Sequence, residues 1–179
     1  MPLKDMLFSF KGRIRRLDWW LWGIGIGIVW GVALAAVGAA LFNVSFMTSL
    51  LGGPELPQNW AFTTWSLVTF LPLMWVQSAL AAKRAHDRNV GAAVAIGLTV
   101  FAGLLSFVPT GVDLIMGSAI SDDHFESMNQ GVNLVSGAAS LYLLVVLGFL
   151  AGTRGPNRFG RSPKGIGGEP ADKAADVFS

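Results

Sequence analysis

The sequence contains no cysteine among its 179 residues, and charged residues make up only 13% of it. The lack of cysteine excludes disulfide frameworks, thiolate metal sites and cysteine nucleophiles. About a quarter of the residues in soluble domains are charged, so the low charge content of this sequence conflicts with a water-soluble domain of this size. Hydrophobic residues make up 53%, with 22 glycines and 7 tryptophans. This composition is typical of a chain embedded in lipid.

Four apolar segments contain no Asp, Glu, Lys, Arg or His, and they lie near residues 20–42, 62–82, 92–112 and 134–151. About 20 residues cross the ~30 Å hydrocarbon layer as a helix, and segments that are apolar on every face do not fit a membrane barrel. We therefore predict an all-α integral membrane protein with a four-helix transmembrane bundle. Residues 1–163 form one transmembrane domain, and residues 164–179 are predicted to be a disordered tail.

The basic residues are sorted to one side of the predicted membrane. Five Lys/Arg lie in residues 1–18, three in residues 83–89 and five in the tail from Arg154, which accounts for all thirteen. The charged residues of segments 43–59 and 113–126 are all Asp or Glu. The positive-inside rule then places both termini in the cytoplasm. The absence of ionisable residues within the predicted spans argues against a proton-coupled pump.

Apolar residues recur at helical spacing before the first span, which predicts a short amphipathic helix in the lipid headgroup layer. They are Leu3, Met6, Leu7, Phe10, Ile14 and Leu17. The basic flank around this helix fits two interpretations: a polybasic stretch that only sets topology, or a surface that recognises lipids or a partner.

Small residues form a ridge along the first span at four-residue intervals, namely Gly23, Gly27, Gly31 and Ala35. Such a ridge lets another helix approach closely, so it predicts packing inside the bundle, with dimerisation as the alternative. Pro72 should kink the second span, and the nearby Gln77 should form an interhelical hydrogen bond or contact a transported solute.

No catalytic constellation is apparent in the sequence. His86 and Asp87 lack the further ligands of a metal-dependent phosphohydrolase, and nucleophile-elbow and phosphate-loop motifs are missing. Asp122, Asp123, His124 and Glu126 are predicted to form a solvated acidic loop rather than a metal site. No metal or other cofactor is expected, and nucleic-acid binding is not expected because the basic residues adjoin the membrane.

Three stretches at the predicted cytoplasmic side carry motifs in a fixed order. They are F-x-G-R-x-x-R ending at Arg16, R-x-H-D at residues 84–87, and G-x-x-G-x-N-x-F-G-x-x-P at residues 152–163. The pattern resembles the domain-of-unknown-function family numbered 805, small bacterial inner-membrane proteins of the YhaH and YhaI type. The resemblance implies a multi-pass protein of the bacterial inner membrane and no particular activity. The matching motif positions are Gly12, Arg13, Arg16, Arg84, His86, Asp87, Gly155, Asn157, Phe159, Gly160 and Pro163.

These motifs should meet on one face, because both termini and the 83–89 turn lie on the same side of the predicted bundle. One interpretation is structural, with Asp87 paired to Arg13 or Arg84, and with Gly155-Pro156 and Gly160 forming turns. The other is an anion site for a lipid phosphate or an acidic protein partner, since guanidinium binds phosphate bidentately. The proposed binding residues are Arg13, Arg16, Arg84, His86, Asp87, Asn157 and Arg158.

We therefore expect a non-enzymatic module that binds lipids, anionic ones among them, or a partner through an Arg-rich cytoplasmic face. A small transporter or transporter subunit with a cavity at Pro72 and Gln77 is the alternative. An enzyme acting on lipid headgroups through Asp87 and His86 ranks third. Oligomeric state is left open by the sequence.

Overall fold

The computed structural model describes residues 2–50, 58–116 and 119–166. Within these ranges the chain forms helices and no β-strand, apart from one isolated bridge between Asn157 and Gly160. This result confirms the predicted all-helical class. The helices are α1 (Leu3–Phe8), α2 (Arg16–Leu50), α3 (Gln58–Asp87), α4 (Ala93–Leu105), α5 (Val108–Met116) and α6 (Asp122–Leu143), followed by a π-helical segment (Leu144–Phe149).

Three helical stretches are long and apolar enough to cross a membrane: Arg16–Ala40, Ala93–Asp113 and Asp122–Phe149. They contain or overlap the first, third and fourth predicted spans. The second predicted span falls within α3, which is not among the three. The chain is therefore a membrane protein by the length and composition of its helices.

Two predicted spans differ from the observed helices. The segment 92–112 is divided between α4 and α5 at Ser106 and Phe107. Pro109 lies in the first turn of α5, where its missing N–H does no harm, and it disfavours continuation of α4 through it. The last helix begins at Asp122, well before residue 134.

The prediction of an acidic loop at residues 122–126 is therefore wrong, because these residues form the first turns of α6. Ser121 is the N-cap residue, and two aspartates follow it in the first turn. Carboxylates at a helix N-terminus are stabilised by the positive end of the helix dipole. Among the residues that the structure describes, no group of three or more His, Asp or Glu could hold a metal ion.

The helices pack in chain order, α2 against α3, α3 against α4, and α4 against α6. The π-helical segment also contacts α2 and α3. The row of helices thus closes on itself at the end of the protein where the three basic stretches meet. We call this region, residues 11–16, 83–89 and 152–164, the basic end.

The buried core lies at and beside the basic end. Met6 of α1 and Ile14 pack on Val76 and Leu80 of α3. α1 is shorter than the predicted amphipathic helix, since it ends at Phe8. The chain turns at Gly12, whose φ of 94° favours glycine. The largest fully buried side chains in the described chain are Arg84, Lys83, Leu80 and Leu147.

Candidate functional site

α3 ends in two cationic side chains that are completely buried. Lys83 and Arg84 both have 0% of their surface exposed. The Arg84 Nε donates a 2.7 Å hydrogen bond to the carbonyl of Leu147, and Nη1 forms an ion pair with Asp87 Oδ2. A buried charge is tolerated only when it is paired and hydrogen-bonded, and Arg84 meets both conditions.

Four consecutive carbonyls at the end of the π-helical segment accept hydrogen bonds from side chains of α2 and α3. Arg84 donates to the first and the last of them. Trp20 Nε1 donates to the Gly148 carbonyl at 3.2 Å, and Arg16 Nη1 donates to the Phe149 carbonyl at 2.9 Å. The last carbonyls of a helix lack partners within the helix, and its dipole favours cations there. The four acceptors are Leu147, Gly148, Phe149 and Leu150.

Arg13 links the N-terminal stretch to both α3 and the C-terminal stretch. Its Nη2 lies 3.0 Å from Asp87 Oδ1, and both side chains are buried. Nη1 donates to the carbonyls of Gly155 at 2.8 Å and Gly160 at 3.1 Å. Nη2 also donates to the carbonyl and the hydroxyl oxygen of Thr153, each at 2.9 Å. The hydrogen-bonding capacity of this guanidinium is therefore used within the protein.

Asp87 is enclosed by the backbone of the C-terminal stretch. A Cβ atom at Gly152 would lie 1.8 Å from Asp87 Oδ2, so no larger residue fits there unless Asp87 moves. Thr153 donates to the Asp87 carbonyl through its N–H at 2.8 Å and through its hydroxyl at 2.9 Å. The carboxylate is thus held between two guanidinium groups and a close-packed main chain.

His86 lies in a stack of three side chains at the edge of this cluster. Its ring packs parallel to that of Phe159 with 3.9 Å between centroids, and the Arg158 guanidinium lies 4.7 Å from the same aromatic ring. Burial lowers the pKa of His86. The Nδ1 of His86 lies 3.2 Å from the Gly12 carbonyl, and because a carbonyl oxygen only accepts hydrogen bonds, this nitrogen is the donor. The Asn157 amide donates to the His86 carbonyl at 2.8 Å.

Lys83 links α3 to α1. Its Nζ donates a 2.6 Å hydrogen bond to the carbonyl of Met6. Burial lowers the pKa of Lys83 to about 8, and the nearby charge of Asp5 opposes this shift.

A cavity of about 190 Å³ opens beside the buried cluster. Arg84, Asp87 and Gly152 are part of its wall, and four further cationic residues also line it. Arg15 pairs with Asp18 at 3.2 Å, and Arg16 is bound to the Phe149 carbonyl. Among the described residues, the side chains of the other two have no hydrogen-bond or ion-pair partner. The four cations are Arg15, Arg16, Arg154 and Lys164.

The structure brings most of the predicted binding residues together. Arg13, Arg84 and Asp87 form the buried cluster, as the structural interpretation of the motifs expects. Arg16 lines the cavity, whereas Arg158 stacks on Phe159 and donates to the Asn89 carbonyl at 3.3 Å. Gly155 lies in a bend, and a turn at residues 158–159 is closed by the bridge between Asn157 and Gly160. Gly155 and Gly160 supply carbonyls to Arg13. Pro163 lines the cavity.

The glycine ridge of α2 does not pack on another helix in the described chain. Cβ atoms at Gly23, Gly27 and Gly31 would meet nothing within 4 Å, and Ala35 is exposed. A groove between α2 and α3 is lined almost entirely by apolar side chains. Pro72 lies in this groove, but Gln77 does not line it.

Sequence reasoning missed several residues of the site. Arg15, Arg154 and Lys164 adjoin the motifs, and their position beside motif residues is the signal that could have found them. Gly152 was identified only as the start of a motif. The hydrogen bonds to the four carbonyls of residues 147–150 have no signal in the sequence, because they depend on where the π-helical segment ends.

A family model described as "Protein of unknown function (DUF805)" matches residues 7–161. The chain is 26% identical over 171 residues to "Uncharacterized protein YiiR" of Escherichia coli K12, and the match covers 93% of each chain. The protein of the same name in Escherichia coli O157:H7 matches equally well. No solved structure matches the chain. The basic end contains all three motifs of the matched region, and the chain belongs to the DUF805 family.

Proposed function

We propose that the protein is a non-enzymatic binding module of the bacterial inner membrane that holds a phosphate-bearing anion in the cavity at its basic end. The observation that carries this proposal is the cavity of about 190 Å³ lined by Arg15, Arg16, Arg154 and Lys164. Cations that are not neutralised within the protein remain available to an anion. Guanidinium and ammonium groups around a small cavity favour phosphate.

The cations that would contact the anion lie outside the buried cluster. Arg13 and Arg84 are hydrogen-bonded to Asp87 and to main-chain carbonyls, so they are not available to a ligand. Instead they hold the wall of the cavity in place. Asp87 offsets one positive charge in this wall, but the lining cations outnumber it.

The orientation in the membrane is part of the proposal. The three basic stretches meet at one end of the protein, and the positive-inside rule assigns that end to the cytoplasm of a four-span bundle. Basic pockets on the cytoplasmic side of membrane helices suit anionic lipid headgroups. An anionic phospholipid is the ligand we favour, and the narrower likeness to YhaH and YhaI remains part of this proposal.

Neither alternative function gains support from the geometry. The groove at Pro72 is lined almost entirely by apolar side chains, and Gln77, the residue on which the transport hypothesis depends, does not line it. Asp87 already bridges two guanidinium groups, and the Nδ1 of His86 is bound to a carbonyl. A general acid or base must be free to exchange a proton with its substrate, and these atoms are already bound within the protein.

The test compares lipids retained by the full chain in native lipid discs, measured by mass spectrometry. The site variant combines Arg154→Ala with Lys164→Ala. The matched control combines Lys11→Ala with Arg161→Ala, which removes the same charge from the basic end at exposed residues that do not line the cavity. We expect the site variant alone to lose anionic phospholipid severalfold.

Equal losses in both variants would mean that overall surface charge, rather than the cavity, retains the lipid. No loss in either would overturn the proposal. Added inorganic phosphate separates the two ligand sources. A site for free phosphate would bind the added phosphate without any change in lipid content, whereas a lipid site would retain phospholipid.

A further inference from the structure

A row of polar and small residues lies along one exposed face of α6. The intervals between them are four, three, four and three residues, and all five are exposed. This spacing keeps residues on one seam of a helix that pairs with another helix. The residues, which we call the α6 seam, are Glu126, Gln130, Asn133, Gly137 and Ser140.

The side-chain hydrogen bonds that the α6 seam makes in the described chain stay within α6, and one of them runs from Gln130 Nε2 to Glu126 Oε1 at 2.9 Å. The neighbouring stripe, Phe125, Met128, Val132, Ser136 and Ala139, is half-buried. α4 is the span that packs on α6. The seam lies one residue further round the helix, and a Cβ atom at Gly137 would meet nothing within 4 Å.

Most of the α6 seam lies at hydrocarbon depth. The spanning stretch ends at Phe149, and about 20 residues cross the hydrocarbon layer, which places the opposite boundary near Gln130. Asn133 and Ser140 are therefore inside the layer, and Glu126 is outside it. A polar side chain exposed to hydrocarbon costs several kcal/mol unless it finds a hydrogen-bonding partner. Among the residues that the structure describes, the Asn133 amide has only a long 3.4 Å hydrogen bond to Asn129 within its own helix.

We propose that the α6 seam pairs with the α6 seam of a second copy of this chain. All copies insert in the same orientation, so the two helices are parallel and a twofold axis brings each Asn133 opposite the other. An amide is both donor and acceptor, which makes the seam complementary to itself. Gly137 lets the two backbones approach closely, and the buried part of the seam carries no charge that would repel its copy.

The absence of cysteine makes this interface testable by disulfide cross-linking in membranes. The full chain is oxidised with Gly137→Cys or Ser140→Cys as its single cysteine, and the fraction of disulfide dimer is measured. Ala138→Cys and Tyr142→Cys are the matched controls, because both positions are exposed at a similar depth but lie off the seam. We expect the seam positions to cross-link at least severalfold more than the controls.

A second variant tests the chemistry of the seam. Asn133→Leu in the Ser140→Cys background keeps the helix apolar and removes the amide. Cross-linking should fall severalfold, while the unfolding temperature of the monomer is maintained.

Equal cross-linking at seam and control positions would overturn the proposal, as would an absence of dimer at all four. A cross-linked product containing a different protein would also overturn it. The fourth adverse outcome is an intramolecular disulfide in the Gly31→Cys/Gly137→Cys double variant. That product would show that the seam closes on the glycine ridge of α2 instead.

Discussion

The Arg84 guanidinium donates a 2.7 Å hydrogen bond to the main-chain carbonyl of Leu147 and thereby joins the end of α3 to the last turns of the final helix. The two residues are 63 positions apart, and each is at most 1% exposed. This cation therefore satisfies helix-end carbonyls in a place that water does not reach. The basic end is consequently held together by buried polar contacts in addition to apolar packing.

Arg84→Leu should destabilise the protein by about 3–5 kcal/mol, because it leaves the Asp87 carboxylate with one partner fewer and takes the donor from the buried Leu147 carbonyl and the part-buried Leu150 carbonyl. The free energy of unfolding in detergent micelles measures this loss. Arg88→Leu removes the same charge from a half-buried position on the same segment and should cost much less. Equal losses in the two variants would contradict the role assigned to Arg84.

Gly152→Ala should destabilise the protein by about 1–3 kcal/mol, since the added Cβ would lie 1.8 Å from Asp87 Oδ2 and force the carboxylate away from its guanidinium partners. Gly155→Ala is the matched control, because a Cβ there meets nothing within 4 Å. The unfolding temperatures of both variants are compared with wild type. A stable Gly152→Ala protein would show that Asp87 has room to move.

The lowered pKa of His86 predicts a loss of stability in acid. The unfolded chain binds a proton near the ordinary pKa of 6.5, whereas the folded chain resists it, so the free energy of unfolding falls as the pH drops below 6.5. His86→Gln should remove this slope while preserving a hydrogen-bonding group. His124 is present in both proteins and cancels in the comparison. An identical pH profile for the variant would refute the prediction.

The lowered pKa of Lys83 predicts a second rise of stability with pH, this time in base. Between about pH 8 and 10.5 the folded chain has released a proton that the unfolded chain still holds, so stability rises with pH in this window. The slope approaches at most about 1.4 kcal/mol per pH unit. Lys83→Met should lack this rise, and the difference between the two unfolding curves isolates it. Parallel curves would mean that Lys83 is hydrated in the folded protein.

The sequence was sufficient for the helical class and for the meeting of the basic stretches, because long charge-free runs and sorted charges have few structural solutions. It also indicated that Asp87 pairs with arginine, since a carboxylate beside Arg84 at a membrane boundary needs a cation. The break between α4 and α5 and the early start of α6 were missed. Both depend on local capping and on Pro109, which span counting ignores.

The roles of the arginines could not be assigned from the sequence. Arg13 and Arg15 are two positions apart and chemically identical, yet one is buried and the other lines the cavity. The difference arises from the turn at Gly12 and from the path of residues 152–164 around Asp87. Such a path is fixed by tertiary contacts, which charge patterns do not encode.

The cluster around Asp87 also constrains the order in which the protein can assemble. Arg13 and Asp87 emerge from the ribosome early, but their remaining partners, Thr153, Gly155 and Gly160, follow only after the last span. Until then the carboxylate and the guanidinium groups lack their full set of bonds. The basic end is therefore completed late in biogenesis, after the final helix has been inserted.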